Sequence, residues 1–183
     1  MTERGSVGRS QEQALIGRLQ QAPLLHRLAG RYLQVLRKIA RPRTFSSQQV
    51  VIEAGAIGPG LFILLKGQWE VGEAQESAIL LEPIVTAGEL SELMDTPQTA
   101  QVRSTGDSVA LHIQHEVLAT LFTRDAEFHQ RLCRNAIADL SAQLVSANKK
   151  LDRLSDERGK VEVEMSAAEM ELSNVRMLKS MRG

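Results

Sequence analysis

The residues best placed to bind a ligand are Gly88 and Glu89, which open a short helix-forming stretch. The free N–H groups and partial positive charge at the start of a helix suit an anion. A glycine at this point lets the backbone approach such a group closely. An acidic residue in the first turn also balances the helix dipole with no ligand present. The pair therefore predicts either an anion-binding turn or a plain helix start.

Other residue types that often carry chemistry are scattered along the chain. The spacing His112-x-x-His115 suits two metal ligands, but no third or fourth ligand lies at a suitable distance. Cys133 has basic neighbours that favour a reactive thiolate. We nevertheless interpret it as a packed thiol. No set of nucleophile, base and orienting residue is visible. We expect no catalytic residues, no metal and no cofactor; the remaining histidines are His26 and His129.

Composition narrows the class of protein. The 183 residues carry 22 basic and 22 acidic side chains, so the formal net charge is zero. A partner such as DNA usually requires a basic surplus. We therefore expect no DNA partner. One cysteine fits a reducing compartment. No apolar run is long enough for a signal peptide or a membrane span. The sequence predicts a cytoplasmic protein that acts on neither DNA nor membrane.

Changes in composition divide the chain into four predicted regions. A disordered tail is expected over 1–10 and short helices over 11–41, where apolar residues recur at spacings of three and four. A β-rich domain is expected over 42–126, and a long helix over 127–183. The fold class is therefore mainly β with helices (α+β).

The β-rich region consists of short β-prone runs separated by glycine-containing turns, which is typical of an antiparallel sandwich or barrel. The run over 64–69 predicts a hairpin with its turn near Gly67. One short helix is expected from Glu89 to Met94. Helix returns at about Glu116 to Phe122 and again from Glu127 onward.

The last helix carries a heptad pattern, which indicates a coiled coil. Its predicted dimer or partner interface is Ile137, Leu140, Leu144, Leu151, Leu154, Val161, Met165 and Leu172. In a parallel homodimer Glu157 would face the partner's Glu162, and Glu164 the partner's Glu169, which are repulsive pairs. The first half therefore favours a homodimer, and the acidic second half another protein or an antiparallel arrangement. The alternative is a solvated helix.

The segment from Gly88 to Ala100 resembles the phosphate-binding cassette of the cyclic-nucleotide-binding domain family, as found in catabolite activators and kinase regulatory subunits. The shared features are Gly88-Glu89-Leu90, Pro97 at the family's spacing, and Gly55 and Gly67 in the opening strands. The resemblance implies an antiparallel, jelly-roll-like β-roll between N-terminal helices and a long C-terminal helix. It also implies the ligand-binding residues, if any: Gly88, Glu89, Leu90, Gln98, Thr99 and Ala100.

The chain departs from this family where the ligand charge is bound. The family's arginine, which pairs with the cyclic phosphate, is Gln98 here, and Ser91 and Glu92 replace a small apolar pair. Glu92 would repel a phosphate if it faced the pocket. Arg103 on the next strand is expected to point to solvent rather than to replace the arginine. The activators' DNA-reading module is not expected here.

Two functions follow from the resemblance and its departures. The first is a non-enzymatic regulator or scaffold, in which a degenerate β-roll contacts other proteins and the coiled coil dimerises or docks a partner. The second is a sensor of a cyclic mono- or dinucleotide that couples ligand binding to the coiled coil.

Overall fold

The structure is a computed structural model that describes residues 13–72 and 79–180, with side chains as far as residue 170. The predicted tail over 1–10 lies outside the described residues, as does the side chain of Leu172. The chain divides into two structural units between Asp139 and Leu140. The predicted boundaries at 41/42 and 126/127 stay predictions.

Helices precede and follow a β-roll in the first unit, and the last helix, α5, extends into the second. The helices are α1 (residues 13–19), α2 (Gly30–Ile39), α3 (Glu89–Met94), α4 (His115–Arg124) and α5 (Ala126–Ser180), with a 3-10 turn at Pro23–Leu25. The strands are β1 (Arg41–Phe45), β2 (Val50–Ile52), β3 (Leu61–Lys66), β4 (Trp69–Val71), β5 (Ile79–Leu81), β6 (Val85–Ala87), β7 (Val102–Ser104) and β8 (Ser108–Ile113).

The eight strands form two antiparallel four-stranded sheets, in the orders β1-β8-β3-β6 and β2-β7-β4-β5. The predicted class, a mainly β fold with helices and an antiparallel roll, is confirmed. The predicted short helix at Glu89–Met94 is present, and so are the two helices that follow the roll.

Alternation along β3 divides the apolar residues between two cores. Leu61 and Ile63 pack against the helical layer, whereas Phe62 and Leu64 pack between the sheets. This is the expected consequence of successive strand residues pointing to opposite faces. Trp69 is fully buried between the sheets, in edge-on contact with aromatic neighbours.

The predicted hairpin over 64–69 is wrong. β3 pairs with β6 and β8 in one sheet, whereas β4 pairs with β5 and β7 in the other. Gly67 does provide a turn, with φ at +93°, and a Cβ there would lie 2.5 Å from the Cβ of Ser108. The turn passes the chain from one sheet to the other, which sequence alternation cannot distinguish from a hairpin.

The first turns of α5 belong to the helical layer, where Phe128, Leu132 and Ala136 are buried at a spacing of four. Asn135 fixes this part of the helix, because its amide donates to the carbonyl oxygens of Leu24 and His26 at 2.7 and 2.8 Å. In the second unit the helix continues without interruption. No helix in the described part of the chain has a stretch long and apolar enough to span a membrane.

Candidate functional site

Gly88 begins the candidate site, because it caps α3 in a left-handed conformation with φ at +87°. A Cβ at this position would lie 2.4 Å from the carbonyl oxygen of Gly60. Only glycine satisfies both conditions without strain. The cassette and the loop before β3 therefore touch backbone to backbone. This contact accounts for Gly88 independently of any ligand.

Glu89 follows in the first turn of α3, and its carboxyl group is largely withdrawn from water. Burial raises its pKa to about 7, and the charge of Asp139 acts in the same direction. Hydrogen bonds from its own backbone N–H and from Thr86 oppose the shift. One carboxyl oxygen, Oε2, is buried with no hydrogen-bond partner among the described residues. Glu89 is thus an acceptor that a hydroxyl or amine could use.

Gln98, in the place of the family's arginine, is held by the protein itself. Its side-chain Oε1 accepts a hydrogen bond from the hydroxyl of Ser91 at 2.8 Å. Its backbone N–H donates to Ala56 at 2.8 Å, and its carbonyl oxygen accepts from Gly55 at 2.7 Å. The two departures Ser91 and Gln98 are therefore partners of one another.

Glu92, the other departure in α3, is also engaged within the protein. Its side chain is only 2% exposed. Oε1 accepts from the backbone N–H of Gly60 at 2.8 Å, and Oε2 lies 2.9 Å from Nδ1 of His115. The hydrogen bond to Glu92 raises the pKa of His115, and this is the largest cause of the shift. The carboxylate joins α3 to the first residue of α4.

The remaining predicted site residues are less enclosed. Thr99 is exposed, whereas Leu90 and Ala100 are half-buried. Arg103 is half-buried and donates to the side-chain oxygen of Gln101 at 2.8 Å. Because its neighbour Val102 faces the inter-sheet core, Arg103 lies on the outer face of β7. It does not take the place of the arginine.

The electrostatics of the cassette are negative. Residues 88–100 include three carboxylic acids and no basic residue. His115 is the basic group that contacts them, and it contacts Glu92. Such a site can accept hydrogen bonds from a ligand, but among the described contacts it offers no cationic side chain to a phosphate.

The histidines have structural partners rather than a shared ligand. His112 stacks on Phe62 at 4.2 Å and lies 3.1 Å from the carbonyl oxygen of Pro59. His129 stacks on Phe122 at 4.2 Å. No group of three or more His, Cys, Asp or Glu side chains in the described part of the chain could hold a metal ion.

Sequence reasoning missed His115, which pairs with Glu92, and Asp139, whose charge raises the pKa of Glu89. Both are far from α3 in sequence. The signal that could have indicated an internal network was the pair of polar residues Ser91 and Glu92 where the family has apolar ones. A polar residue on a helix face that packs against a sheet needs a partner.

The predicted interface residues of α5 form an exposed apolar surface. Ile137, Leu144 and Leu151 are 67%, 63% and 64% exposed. The other interface residues with described side chains are also exposed: Leu140, Leu154, Val161 and Met165. Arg158 interrupts this row and pairs with Glu162 four residues later, at 2.9 Å.

Comparisons with known proteins agree with this fold. Residues 42–125 match the family model of the cyclic nucleotide-binding domain. The catabolite activator protein of Thermus thermophilus is 24% identical with a TM-score of 0.57, over 73% of this chain and 63% of the activator. The N-terminal domain of a transcriptional regulator from Streptomyces coelicolor A3(2) is 20% identical with a TM-score of 0.58, over 70% of this chain and 93% of that domain.

The regulatory domain of Toxoplasma gondii PKA, solved with cAMP, is 20% identical with a TM-score of 0.55. That match covers 61% of this chain and 44% of the other. No curated protein matches the sequence. The chain thus spans less than two thirds of the Thermus activator, and these identities support the fold alone. The β-roll has the cyclic-nucleotide-binding fold, and the resemblance seen in the sequence is confirmed at that level.

Proposed function

We propose that this protein is a non-enzymatic regulator or scaffold whose β-roll contacts other proteins and binds no cyclic nucleotide at physiological concentration. The observation that carries the proposal is the state of Gln98. A neutral amide stands where the family has its phosphate-binding arginine, and Ser91 already occupies its oxygen. Oε2 of Glu89, a buried acceptor with no partner among the described residues, suits no phosphate.

The energetic argument concerns one charge-assisted contact. Hydrogen bonds to charged groups contribute about 1.5–3 kcal/mol. Their loss lowers affinity by roughly ten- to more than a hundredfold, at about 1.4 kcal/mol per factor of ten. Glu92 and Asp95 add repulsion to that loss, because a phosphate carries the same sign. Glu89 adds to it only in its ionised form, since its pKa is raised to about 7.

A substitution that restores the charge tests this explanation. We expect Gln98→Arg to raise the affinity for cyclic AMP or cyclic GMP at least tenfold over the wild-type protein, measured by isothermal titration calorimetry. Gln34→Arg adds the same charge at an exposed position of α2 and should change nothing. Equal affinity of the Gln98→Arg and wild-type proteins would show that the arginine slot does not decide binding.

Glu89 supports a second candidate, a sensor of a cyclic mono- or dinucleotide. Its buried Oε2 is a vacant acceptor that a ligand hydroxyl could fill. This candidate requires wild-type affinity in the low micromolar range and its loss in Glu89→Ala. A Glu89→Ala protein that responds to every ligand as the wild type does would remove the basis for it.

We propose that α5 supplies the second function, dimerisation or docking of a partner protein. The support is its run of exposed apolar residues at heptad spacing, since such rows are normally buried against another helix. Leu144→Glu combined with Leu151→Glu should convert a dimer to a monomer in light scattering. The matched control is Ser146→Glu with Arg153→Glu, at positions off the heptad core. A monomeric wild-type protein would exclude a homodimer and leave a foreign partner.

The same proposal places the protein in the cytoplasm. Its single cysteine, Cys133, is a free thiol in the structure, which suits a reducing compartment. Localisation of a fluorescent fusion would test this directly.

A further inference from the structure

The neutral net charge conceals a division of charge within the first structural unit. Residues 13–45 and 115–139, which form the helical layer and strand β1, include ten basic and four acidic residues. Residues 46–114, the rest of the β-roll, include two basic and nine acidic residues. A neutral total predicts no polyanionic partner such as DNA. The fold shows that the two signs are segregated.

The basic residues of the helical layer lie on neighbouring helices. Arg31 of α2 pairs with Glu127 of α5 at 3.1 Å, and the rings of Tyr32 and Phe128 lie 5.1 Å apart. The bonds from Asn135 to the turn before α2 continue this contact. We name the exposed cations of these helices and the adjoining turns the basic helical face: Arg27, Arg31, Lys38, Arg124, Arg131 and Arg134.

Little within the unit neutralises this face. Glu127 is engaged by Arg31. The side-chain oxygen of Asp125 accepts from the Tyr32 hydroxyl at 3.2 Å and from the backbone of Phe128 at 2.9 Å. The other five cations make no ion pair with the described residues. A surface that carries charges of one sign attracts partners of the opposite sign.

We propose that the basic helical face binds an acidic α-helix of a partner protein. Five of its six cations are arginines, whose planar guanidinium groups pair with carboxylates in a fixed two-point geometry. Arg131 and Arg134 are three residues apart, and Arg31 and Lys38 are seven apart, so each pair lies on one side of its helix. Carboxylates at every third or fourth residue of a partner helix would match this spacing.

A protein helix fits this face better than a nucleic acid. A polyanion that extended past the helices would meet the acidic surplus of the β-roll, residues 46–114. A short helix with discrete carboxylates avoids this repulsion.

Fluorescence anisotropy with the full chain tests the proposal. The probe is a labelled alanine-based helix of about 20 residues that carries glutamate at every third or fourth position of one face. Its control has glutamine at those positions, and a short duplex DNA is a further probe. We expect binding of the glutamate peptide only, weakened by salt because exposed charges are screened.

Two charge-reversal variants distinguish this face from general attraction. Arg131→Glu with Arg134→Glu should weaken peptide binding at least tenfold. Lys149→Glu with Lys150→Glu makes the same charge change at exposed positions of the second unit and should leave binding unchanged. Arg131→Gln with Arg134→Gln serves if the reversed variant does not fold.

Three results would overturn the proposal: no binding of the glutamate peptide, equal weakening by both variants, or duplex DNA bound as tightly as the peptide. This face shares no residue with the cassette or with the heptad row of α5. Its failure would therefore leave the proposed function standing.

Discussion

The cassette and the part of α5 in the second structural unit differ in how their candidate functional side chains are satisfied. In the cassette, the polar side chains that replace family residues are paired internally: Ser91 with Gln98, and Glu92 with Gly60 and His115. Along α5 from Leu140 onward, the apolar side chains of the heptad row are exposed. The departures of the cassette are thus satisfied within the protein, whereas the heptad row of α5 leaves apolar surface exposed.

The largest expected difference between the β-roll and α5 comes from the same substitution made in each. Leu64 is fully buried, so Leu64→Ala should lower the free energy of unfolding by about 2–5 kcal/mol. Leu144→Ala removes an exposed side chain and should change the stability of the β-roll little. It should instead weaken self-association in light scattering. Chemical denaturation followed by Trp69 fluorescence measures the first effect, and equal losses in both variants would contradict the distinction.

Glu89 should make the stability of the β-roll depend on pH. Its pKa rises from 4.5 to about 7 on folding, so the folded state holds the proton more tightly than the unfolded state. This contribution is fully present below pH 4.5 and is lost as the pH rises through about 7. The total is up to about 3 kcal/mol, at about 1.4 kcal/mol per pKa unit.

Glu89→Gln is neutral at every pH and should remove this dependence. Its melting temperature should exceed that of the wild-type protein at pH 8, with a smaller difference at pH 5. Glu116→Gln, at an exposed residue of α4, is the control. Parallel pH profiles for wild-type and Glu89→Gln proteins would show that the carboxyl group is not buried in the folded state.

A glycine-to-alanine substitution should change stability in opposite directions in the cassette and in α5. Gly88→Ala places a Cβ against the Gly60 carbonyl in a left-handed conformation and should destabilise the β-roll by roughly 1–3 kcal/mol. Gly159 has open space around its Cα within an unbroken helix, so Gly159→Ala should stabilise α5 by up to about 1 kcal/mol. Thermal unfolding followed by circular dichroism would show both, and a tolerated Gly88→Ala would refute the close backbone contact.

The smallest expected effect belongs to the hydrogen bond within the cassette. Ser91→Ala removes the donor to Gln98 and should lower the free energy of unfolding by about 0.5–1.5 kcal/mol. Ser141→Ala, at an exposed position of α5, should have almost no effect. A Ser91→Ala protein as stable as the wild type would mean that water replaces the bond.

The sequence was informative where structure is local. The bounds of α3 follow from Gly88, from the helix-forming residues after it and from the family spacing to Pro97. The exposed heptad row follows from a period that does not depend on the rest of the chain. Both were predicted from residues that lie close together.

The parts that sequence did not predict depend on contacts between distant residues. Gly67 marks a turn, but nothing near it tells whether β4 joins the sheet of β3 or the opposite one. Glu92 lies within hydrogen-bond distance of His115, 23 residues away, and the charge of Asp139 raises the pKa of Glu89. The net charge likewise gave no sign of the basic helical face, because it sums the basic residues of 13–45 and 115–139 with the acidic residues of 46–114. That 13–45 and 115–139 share one layer follows only from the fold.

Isothermal titration of the wild-type protein with cyclic AMP, cyclic GMP and cyclic di-GMP tests the central claim most directly. With the Gln98 site engaged internally, we expect no heat of binding and no thermal shift even at millimolar ligand. Binding tighter than about 10 μM, near −7 kcal/mol, would contradict the claim. It would mean that another group takes the place of the arginine and that the protein is a nucleotide sensor.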